Sequence, residues 1–326
     1  MRVVDVGTTS GLRSQSIWHA LAESARPGDA PTLSFVRPAE PYVCLGYHRD
    51  LRELDLDHCE RAGLPVYRRL IGGGPVYLDP DQIFFQLSLP AAAVRGSRAA
   101  ALRALLGPAV RALRDVGVDA QLDRFGEICV GEAKVCGHGA GQIGDGVVVV
   151  GNLIRRFDHV AAARVLSVAA DVRPLLICLM RRHIEPTPVE VDAWKAAMVR
   201  SYAEHLRCAP APAAPTAAEW TAVDRFDARL ARPDFVAGAE RAPGTVRTVK
   251  VRAGVWVHDW TASDGRLVVA VADGLVTHSW GEGGVAGAAS GLRGLPVATA
   301  RARISSFPAP DLARAIDRAN TEVVAA

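Results

Sequence analysis

The stretch RRLIGGGPVYLDPDQIFFQLSLP, residues 68–90, constrains the fold more than any other part of the chain. It leads from two arginines through three consecutive glycines into a β-branched and aromatic run that is typical of a buried strand. Glycine loses more backbone freedom on folding than any other residue, so three in a row are costly beside a rigid element. The segment therefore predicts either an unusually tight turn or a place where another group comes very close to the backbone.

Length and composition limit the classes of protein to consider. The 326 residues predict one large domain and one small domain. A net charge of +3 without a long basic cluster argues against a nucleic-acid partner. The N-terminus lacks the apolar stretch of a secretory signal, and no run approaches the ~20 apolar residues that span a bilayer, so we expect a cytoplasmic protein without membrane contact. The six cysteines form no CxxC pair, which indicates neither a zinc site nor a disulfide framework.

Apolar periodicity divides the chain into three regions. Residues 1–208 carry helix and strand patterns, residues 209–244 contain the proline-rich CAPAPAAP and should be a linker or irregular, and residues 245–326 should form a small α+β domain. Helices are expected near residues 13–25, 55–62, 192–206 and 310–323, and from residue 97 with a kink or break at Gly107-Pro108. Strands are expected at residues 32–36, 42–45, 128–130 and 147–154, with a glycine-rich turn, GEAKVCGHGAGQIGDG, before the last, and hairpin turns at Asp264-Gly265 and Asp273-Gly274.

The glycine loop has the parts of an anion cradle. Backbone N–H groups of glycines can surround an anion, and Arg69 beside them can grip a phosphate or carboxylate with two hydrogen bonds. The local pattern is equally consistent with a tight loop and a solvated arginine. No lysine follows the glycines, so the loop is not a Walker A motif. A G-x-G-x-x-G match at residues 139–144 precedes a strand rather than a helix, and we interpret it as coincidence.

A second cluster contains Lys134, one of only three lysines in a chain with 38 basic residues. Where arginine supplies nearly every other positive charge, a retained lysine suggests a role for a compact ammonium, such as stabilising a developing oxyanion. Cys136 and His138 could instead form a thiol nucleophile and its base if their side chains lie within hydrogen-bond reach. A buried and inert Cys136 is the simpler interpretation.

Four segments together resemble the lipoate–protein ligase family, whose catalytic domain is related to that of biotin protein ligases. The first is the Arg-Arg and triple-glycine motif of residues 68–79, and the others are PYVCLGYHRDLRELD (41–55), GEICVGEAKVCGHGAGQ (126–142) and VGNLI (150–154). Their order and spacing agree with the family over about the first 200 residues. The tail is similar to the family's accessory C-terminal domain, though more loosely.

The resemblance implies a fold, a reaction and a set of site residues. The fold would be α+β, a mixed β-sheet flanked by helices with a small C-terminal α+β accessory domain. The protein would be a monomeric ATP-dependent ligase that activates lipoate or octanoate to the acyl-adenylate and transfers the acyl group to a lysine of a lipoyl carrier domain. Lys134 would be catalytic, Mg²⁺ would accompany ATP with Glu127 as a candidate ligand, and the remaining residues would bind substrate or adenylate: Arg69, Gly72, Gly73, Gly74, Pro75, Val76, Tyr77, Gly137 and Asn152.

Three positions depart from the family pattern and become apolar here. Ile71 replaces the usual serine or threonine, Leu78 a histidine, and Val150 another histidine. These changes leave two alternatives open. One is an ATP-independent octanoyl or lipoyl transferase that uses Cys136 as a thioester nucleophile, and the other is a catalytically degenerate homologue that only binds the carrier.

Overall fold

The computed structural model describes residues 1–239, 244–263, 265–305 and 309–321. Its strands are β1 (Arg2–Thr9), β2 (Thr32–Pro38), β3 (Tyr42–Leu45), β4 (Val66–Arg68), β5 (Val76–Leu78), β6 (Gln82–Pro90), β7 (Gln121–Leu122), β8 (Ile128–Val130), β9 (Ala133–Ile143), β10 (Gly146–Ile154), β11 (Ala211–Pro212), β12 (Val246–Arg252), β13 (Val255–Ala262), β14 (Gly265–Ala272) and β15 (Leu275–Gly283). Its helices are α1 (Gly11–Ser24), α2 (Leu56–Arg61), α3 (Arg98–Asp115), α4 (His159–Arg164), α5 (Arg173–His183), α6 (Val191–Leu206), α7 (Ala217–Leu230), α8 (Pro233–Ala237), α9 (Ala286–Ser290), α10 (Val297–Ile304) and α11 (Pro310–Thr321).

The chain forms two compact units, and the larger one contains residues 1–167 and 185–239. Its main sheet has eight strands in the order β11-β1-β2-β6-β10-β9-β8-β7. β1 is parallel to β2 and β11, whereas β6, β8, β9 and β10 pair with antiparallel neighbours, so the sheet is mixed. A separate three-stranded sheet, β4-β3-β5, carries the glycine loop between β4 and β5. The expected α+β architecture is confirmed.

Helices cover both faces of the main sheet. Successive residues of a strand point to opposite faces, so neighbouring residues of one strand contact different helices. β6 is buried along its whole length. Phe84 on β6 joins the hydrophobic cluster of α1 and α7, which includes Trp18 and Phe226. The next residue, Phe85, lies with its ring centroid 6.2 Å from that of Trp194 on α6. The predicted strand after the three glycines is therefore confirmed as a central strand.

The stretch expected to be a linker is partly helical. Residues 217–230 form α7, which starts with a capping box between Thr216 and Glu219. Val223, Phe226 and Leu230 on this helix are buried in the cluster with α1. Burial of this apolar face stabilises the helix, although the proline and alanine content of the surrounding sequence suggested a linker.

The proline-rich CAPAPAAP contains an edge strand rather than a free linker. β11 pairs in parallel with β1, and the N–H groups of Ala211 and Ala213 donate to the carbonyls of Met1 and Val3. Proline has no N–H to donate, so an edge strand with alternate prolines can bond on one side only. The alternation of alanine and proline matches that requirement.

The glycine-rich segment before β10 is a strand, which corrects the expected turn. β9 extends over Ala133–Ile143 and pairs with β10 along most of its length. The true turn lies at Gly144, whose φ is +59°. Pairing on this long register outweighs the low strand preference of Gly137, Gly139 and Gly141.

Helix α3 runs without interruption through Pro108, so of the expected kink or break the break does not occur. Leu105, Leu106 and Ala109 around the proline are buried, and α3 packs against α6. A proline inside a helix costs about 3 kcal/mol, which burial of several apolar side chains offsets.

The smaller unit contains residues 168–184 and the described residues from 244 onward. Its antiparallel sheet has the order β12-β13-β14-β15, and α5 packs against β12 and β13. The predicted turn at Asp273-Gly274 is confirmed, with φ of +50° and +92°. Asp264 of the other predicted turn and the last two residues of the expected helix 310–323 lie outside the described residues. Within the described chain, no helix has both the length and the apolar character to cross a membrane.

Candidate functional site

The loop between β4 and β5 is fixed at its start and has free donors at its glycines. Three hydrogen bonds fix it: from Arg69 N–H to the Leu45 carbonyl (2.9 Å), from Leu70 N–H to Nε2 of His19 (3.0 Å) and from Tyr47 N–H to the Ile71 carbonyl (2.9 Å). Among the residues that the structure describes, the N–H groups of Gly72, Gly73 and Gly74 meet no acceptor. Successive free N–H groups are the arrangement that binds anions in proteins.

Space and backbone conformation require glycine at one of the three positions. Gly73 has a φ of +98°, and a Cβ there would lie 2.6 Å from Nη2 of Arg69. A Cβ on the neighbouring Gly46 would lie 2.0 Å from the Gly73 carbonyl oxygen. At Gly72 and Gly74 a Cβ would meet nothing within 4 Å. The sharp turn therefore belongs to Gly73, and the glycines beside it leave open space over the backbone.

The two arginines before the loop differ in what they bind. Arg68 is buried, and its guanidinium donates to backbone carbonyls of Gly46, Tyr47, Arg49, Val236 and Ala237. It therefore joins the end of α8 to the segment that follows β3. Arg69 donates to the carbonyls of Cys44 (3.0 Å), Gly72 (2.8 Å) and Gly74 (2.9 Å). In this arrangement Arg69 braces the loop, and its contact with a substrate stays a prediction.

Lys134 lies near the start of β9, at an irregularity in the ladder with β8. Cys129 pairs with Lys134 and Ile128 with Cys136, so one extra residue, Val135, lies on β9 between them. Such β-bulges redirect side chains and are frequent beside active sites. Nζ of Lys134 lies 2.8 Å from Oε2 of Glu127, and the two side chains are 17% and 6% exposed. The carboxylate balances the ammonium in a partly buried place and fixes its position.

Cys136 lies on the far side of the sheet from the glycine loop. A Cβ at Gly137 would lie 2.3 Å from the Asn152 side chain, and a Cβ at Gly139 would lie 3.2 Å from Ile71, the residue before the glycine loop. Gly137 and Gly139 therefore lie on the sheet face that carries the loop. Alternation places Cys136 on the opposite face. Burial raises the pKa of the Cys136 thiol to about 12, although Lys134 acts in the other direction. Both observations disfavour a thiolate nucleophile.

His138 shares the face of Cys136 and contacts the turn before β8. Its Nε2 lies 2.9 Å from the Gly126 carbonyl oxygen and 3.6 Å from Oε2 of Glu127. The imidazole therefore forms part of the surroundings of Glu127. The predicted thiol and base pair would need this ring to turn toward Cys136.

Two predicted substrate-binding residues, Asn152 and Tyr77, are linked through hydrogen bonds of the Gln82 side chain. Nδ2 of Asn152 donates to Oε1 of Gln82 (2.5 Å), and Nε2 of Gln82 donates to the Tyr77 carbonyl (3.2 Å). Burial, and after it the carboxylate of Asp79, raises the pKa of the Tyr77 phenol to about 12. In the sequence, Pro75 and Val76 lie between the glycine loop and Tyr77, and Val76 is 37% exposed.

The three apolar departures lie in one hydrophobic cluster. Ile71 and Leu78 are buried members of it, and Val150 packs against it. Trp18 and Phe84 belong to the same cluster. Polar groups at these positions would be desolvated among apolar side chains, so the three changes are mutually consistent.

Sequence reasoning missed two polar residues that hold the site together. His19 binds Leu70 and Gln82 binds Asn152. His19 lies outside the motifs, and Gln82 lies within residues 68–90 but was assigned no role there. The available signal was a polar residue at a position where helix or strand periodicity predicts burial. The partner of such a residue is not visible in the sequence.

The expected Mg²⁺ ligand does not form a metal site in the described part of the chain. No group of three His, Cys, Asp or Glu side chains is arranged there to hold a metal ion. Glu127 instead faces Lys134 at 2.8 Å. A carboxylate already paired with an ammonium is a poor ligand for Mg²⁺, which in nucleotide sites relies largely on phosphate oxygens and water.

Comparison with known proteins gives a consistent set of relatives. Residues 12–202 match the family model described as the lipoyl protein ligase A/B catalytic domain. Lipoate-protein ligase A subunit 1 of Thermoplasma acidophilum is 30% identical over 133 residues, which are 36% of this chain and 48% of that protein. The octanoyltransferase LipM of Moorella thermoacetica is 34% identical over 82 residues, 24% of this chain and 30% of that protein. The chain thus spans less than half the length of these curated relatives.

Solved structures share the fold. The bipartite lipoate protein ligase of Thermoplasma acidophilum, described with its E2 lipoyl domain, aligns with a TM-score of 0.67 at 23% identity and covers 74% of this chain and 98% of that one. A lipoate-protein ligase A bound with ATP aligns with a TM-score of 0.63 at 22% identity, covering 73% and 98%. At these identities the likeness establishes the fold.

Proposed function

The chain belongs to the lipoyl protein ligase A/B catalytic domain family, and from this membership we propose that it is an ATP-dependent lipoate–protein ligase. In the proposed reaction the carboxylate of lipoate or octanoate attacks the α-phosphorus of ATP and displaces pyrophosphate. A lysine amine of a lipoyl carrier domain then attacks the acyl carbonyl, loses a proton and displaces AMP. The relatives described with ATP and with an E2 lipoyl domain support the choice of nucleotide and carrier.

One observation carries the proposal beyond family membership. Ile71, the residue before the three glycines, packs against Gly139 and Gly141 on β9, the strand that bears Lys134 near its start. The free N–H groups of the loop and the fixed ammonium thus belong to two elements in direct contact. Both supply positive charge toward anionic oxygens, which the carboxylate, the phosphate and the tetrahedral intermediate present.

Each polar group has a proposed task. The N–H groups of Gly72 to Gly74 bind carboxylate and phosphate oxygens, and Arg69 keeps the loop in the conformation that exposes them. Lys134 stabilises charge on the α-phosphate and on the carbonyl oxygen in both half-reactions. Glu127 positions the ammonium without contacting substrate. Asn152 and Tyr77 border the adenylate, Val76 borders the acyl tail, and the smaller unit is the accessory domain.

Removing the ammonium should remove the reaction. We expect Lys134→Ala to lower pyrophosphate release with octanoate and ATP by a factor of about 10² or more, since electrostatic groups of this kind contribute that much. Lys195→Ala is the matched control, because Lys195 pairs with Asp5 in another part of the unit. A Lys134→Ala enzyme as active as the Lys195→Ala enzyme would refute the proposal.

The likeness to an octanoyltransferase keeps one other function in view. A transferase would need no ATP and would form a thioester on Cys136, with the acyl group leaving its donor thiol. Intact-mass analysis after incubation with octanoyl carrier protein tests this directly. An acyl adduct that disappears in Cys136→Ser would favour the transferase over the ligase, and ATP-dependent activity of Cys136→Ser would exclude it.

A further inference from the structure

Arg68 lies at the base of the glycine loop, and its guanidinium bridges two separate segments of backbone. The side chain is buried, with the residue 2% exposed. Three of the carbonyls that accept from it follow β3 and two lie at the end of α8: Gly46 (3.0 Å), Tyr47 (3.1 Å), Arg49 (2.7 Å), Val236 (2.6 Å) and Ala237 (3.2 Å). A guanidinium presents several N–H donors in a rigid plane, so one arginine can hold two segments at a fixed separation.

The segment after β3 is itself in contact with the glycine loop. The N–H of Tyr47 donates to the Ile71 carbonyl at 2.9 Å. A Cβ on Gly46 would lie 2.0 Å from the Gly73 carbonyl oxygen, so the two backbones touch at this point. The segment that Arg68 holds on one side therefore holds the glycine loop on the other.

The opposite end of the connection is α8, close to the point where the chain leaves the larger unit. Gly238 directly after this helix has a φ of +68°, and a Cβ there would lie 2.9 Å from Nη2 and 3.0 Å from Cζ of Arg68. Phe235 on the same helix approaches Tyr47, with 6.5 Å between the ring centroids. A displacement of α8 would therefore move the guanidinium and the segment after β3 together.

We propose that Arg68 is a positioning residue that transmits the position of α8 to the glycine loop. The inference rests on the proposed function, in which N–H groups of the loop bind oxygens of the acyl-adenylate. Because hydrogen bonds from a charged donor are stronger than those between neutral groups, the bonds of Arg68 form a stiff connection. A displacement of about 1 Å is enough to weaken a catalytic site substantially. Arg68 thus acts on the loop without contacting the substrate.

The first test measures binding of octanoyl sulfamoyl adenosine, a stable analogue of the acyl-adenylate, by isothermal titration calorimetry. Arg68→Lys should raise its Kd about tenfold, since a single ammonium cannot bridge both segments and residues of one hydrogen-bond network couple by this amount. Leu106→Ala is the control for lost stability, because Leu106 is fully buried on α3, which packs against α6. It should unfold at a lower urea concentration and keep the wild-type Kd. A wild-type Kd in Arg68→Lys would overturn the inference.

The second test applies pressure to the guanidinium from the side of α8. Gly238→Ala should raise the Kd about tenfold, whereas in Arg68→Leu, whose side chain ends short of the guanidinium position, the same change should alter the Kd less than about twofold. The backbone strain of Gly238→Ala is present in both backgrounds. Gly63→Ala supplies similar strain with open space around it, at a φ of +62°, and should match wild type. Equal effects of Gly238→Ala in the two backgrounds would contradict transmission through Arg68.

The remaining outcomes separate this inference from the proposed function. If Arg68→Leu does not fold, the comparison of Gly238→Ala with Gly63→Ala decides, and equal Kd values in these two variants overturn the inference. Wild-type binding of the analogue that no variant alters would overturn the inference and leave the ligase proposal standing. No binding of the analogue by the wild-type protein would overturn both.

Discussion

At the scale of single residues, a neutral histidine holds the start of the glycine loop. Nδ1 of His19 lies 2.7 Å from the Gln15 carbonyl oxygen, and Nε2 accepts from Leu70 N–H, so the ring carries its proton on Nδ1. The Trp18 indole stacks on it at a centroid distance of 3.5 Å. Protonating Nε2 would place two donors face to face in a site without water access.

This arrangement predicts a dependence of stability on pH. Burial lowers the pKa of His19 from 6.5 to about 3. Below about pH 6.5 the unfolded chain binds a proton that the folded chain excludes, so the free energy of unfolding should fall as the pH drops toward about 3. Urea titrations at about pH 7 and about pH 5 should show a smaller pH effect in His19→Gln than in wild type.

The control for this experiment is the exposed His48. His48→Gln should show the same pH effect as wild type. The buried His258 is present in wild type and in both variants, so its contribution to the pH effect is the same in all three proteins. An unchanged pH effect in His19→Gln would mean that the ring does not stay neutral in the folded protein.

At the scale of elements, α7 is the clearest case of a helix determined by packing. Its capping box and its buried Val223, Phe226 and Leu230 make it part of the core beside α1. A linker would contribute little to stability. A helix packed into the core contributes in proportion to the apolar area it removes from water.

The two interpretations of this segment differ in a measurable way. Phe226→Ala should lower the free energy of unfolding by about 3–5 kcal/mol, the usual cost of truncating a fully buried phenylalanine. Thr221→Ala on the exposed side of the same helix should change it by less than about 1 kcal/mol. Equal effects of the two substitutions in urea denaturation would restore the linker interpretation.

At the scale of the whole molecule, the smaller unit takes its residues from two separate parts of the chain. Helix α5 packs within the smaller unit, although the residues before and after this segment in the sequence belong to the larger unit. Leu176, Leu179 and Met180 on α5 are buried. The strands that α5 contacts, β12 and β13, come more than 60 residues later in the chain.

Cutting the chain before β12 should therefore expose an apolar helix face. A chain truncated after residue 244 should bind the dye 1-anilinonaphthalene-8-sulfonate more strongly than the full chain, since apolar surface becomes accessible. Serine replacements at Leu176, Leu179 and Met180 in the truncated chain should reverse the increase. Equal dye binding by the full and truncated chains would show that α5 is covered without β12 and β13.

The sequence by itself determined the elements whose signals are local. Periodicity predicted α1, α2 and α6, the buried strand β6, and the turn at Asp273-Gly274. The triple glycine predicted either a tight turn or a close approach of another group to the backbone, and the resemblance predicted the α+β family fold. These inferences succeed because caps, turns and apolar spacing act over a few residues.

Only the tertiary structure decided which side chains meet. It placed Cys136 on the sheet face away from the loop, paired Lys134 with Glu127, and laid Ile71 over Gly139 and Gly141. It also converted the expected glycine turn into β9 and the expected linker into α7. The physical reason is that strand register and burial depend on partners distant in the chain, whose contacts outweigh local preferences. Glycines that looked like a flexible turn instead lie on one face of a rigid strand, where they leave room for the side chains of Asn152 and Ile71.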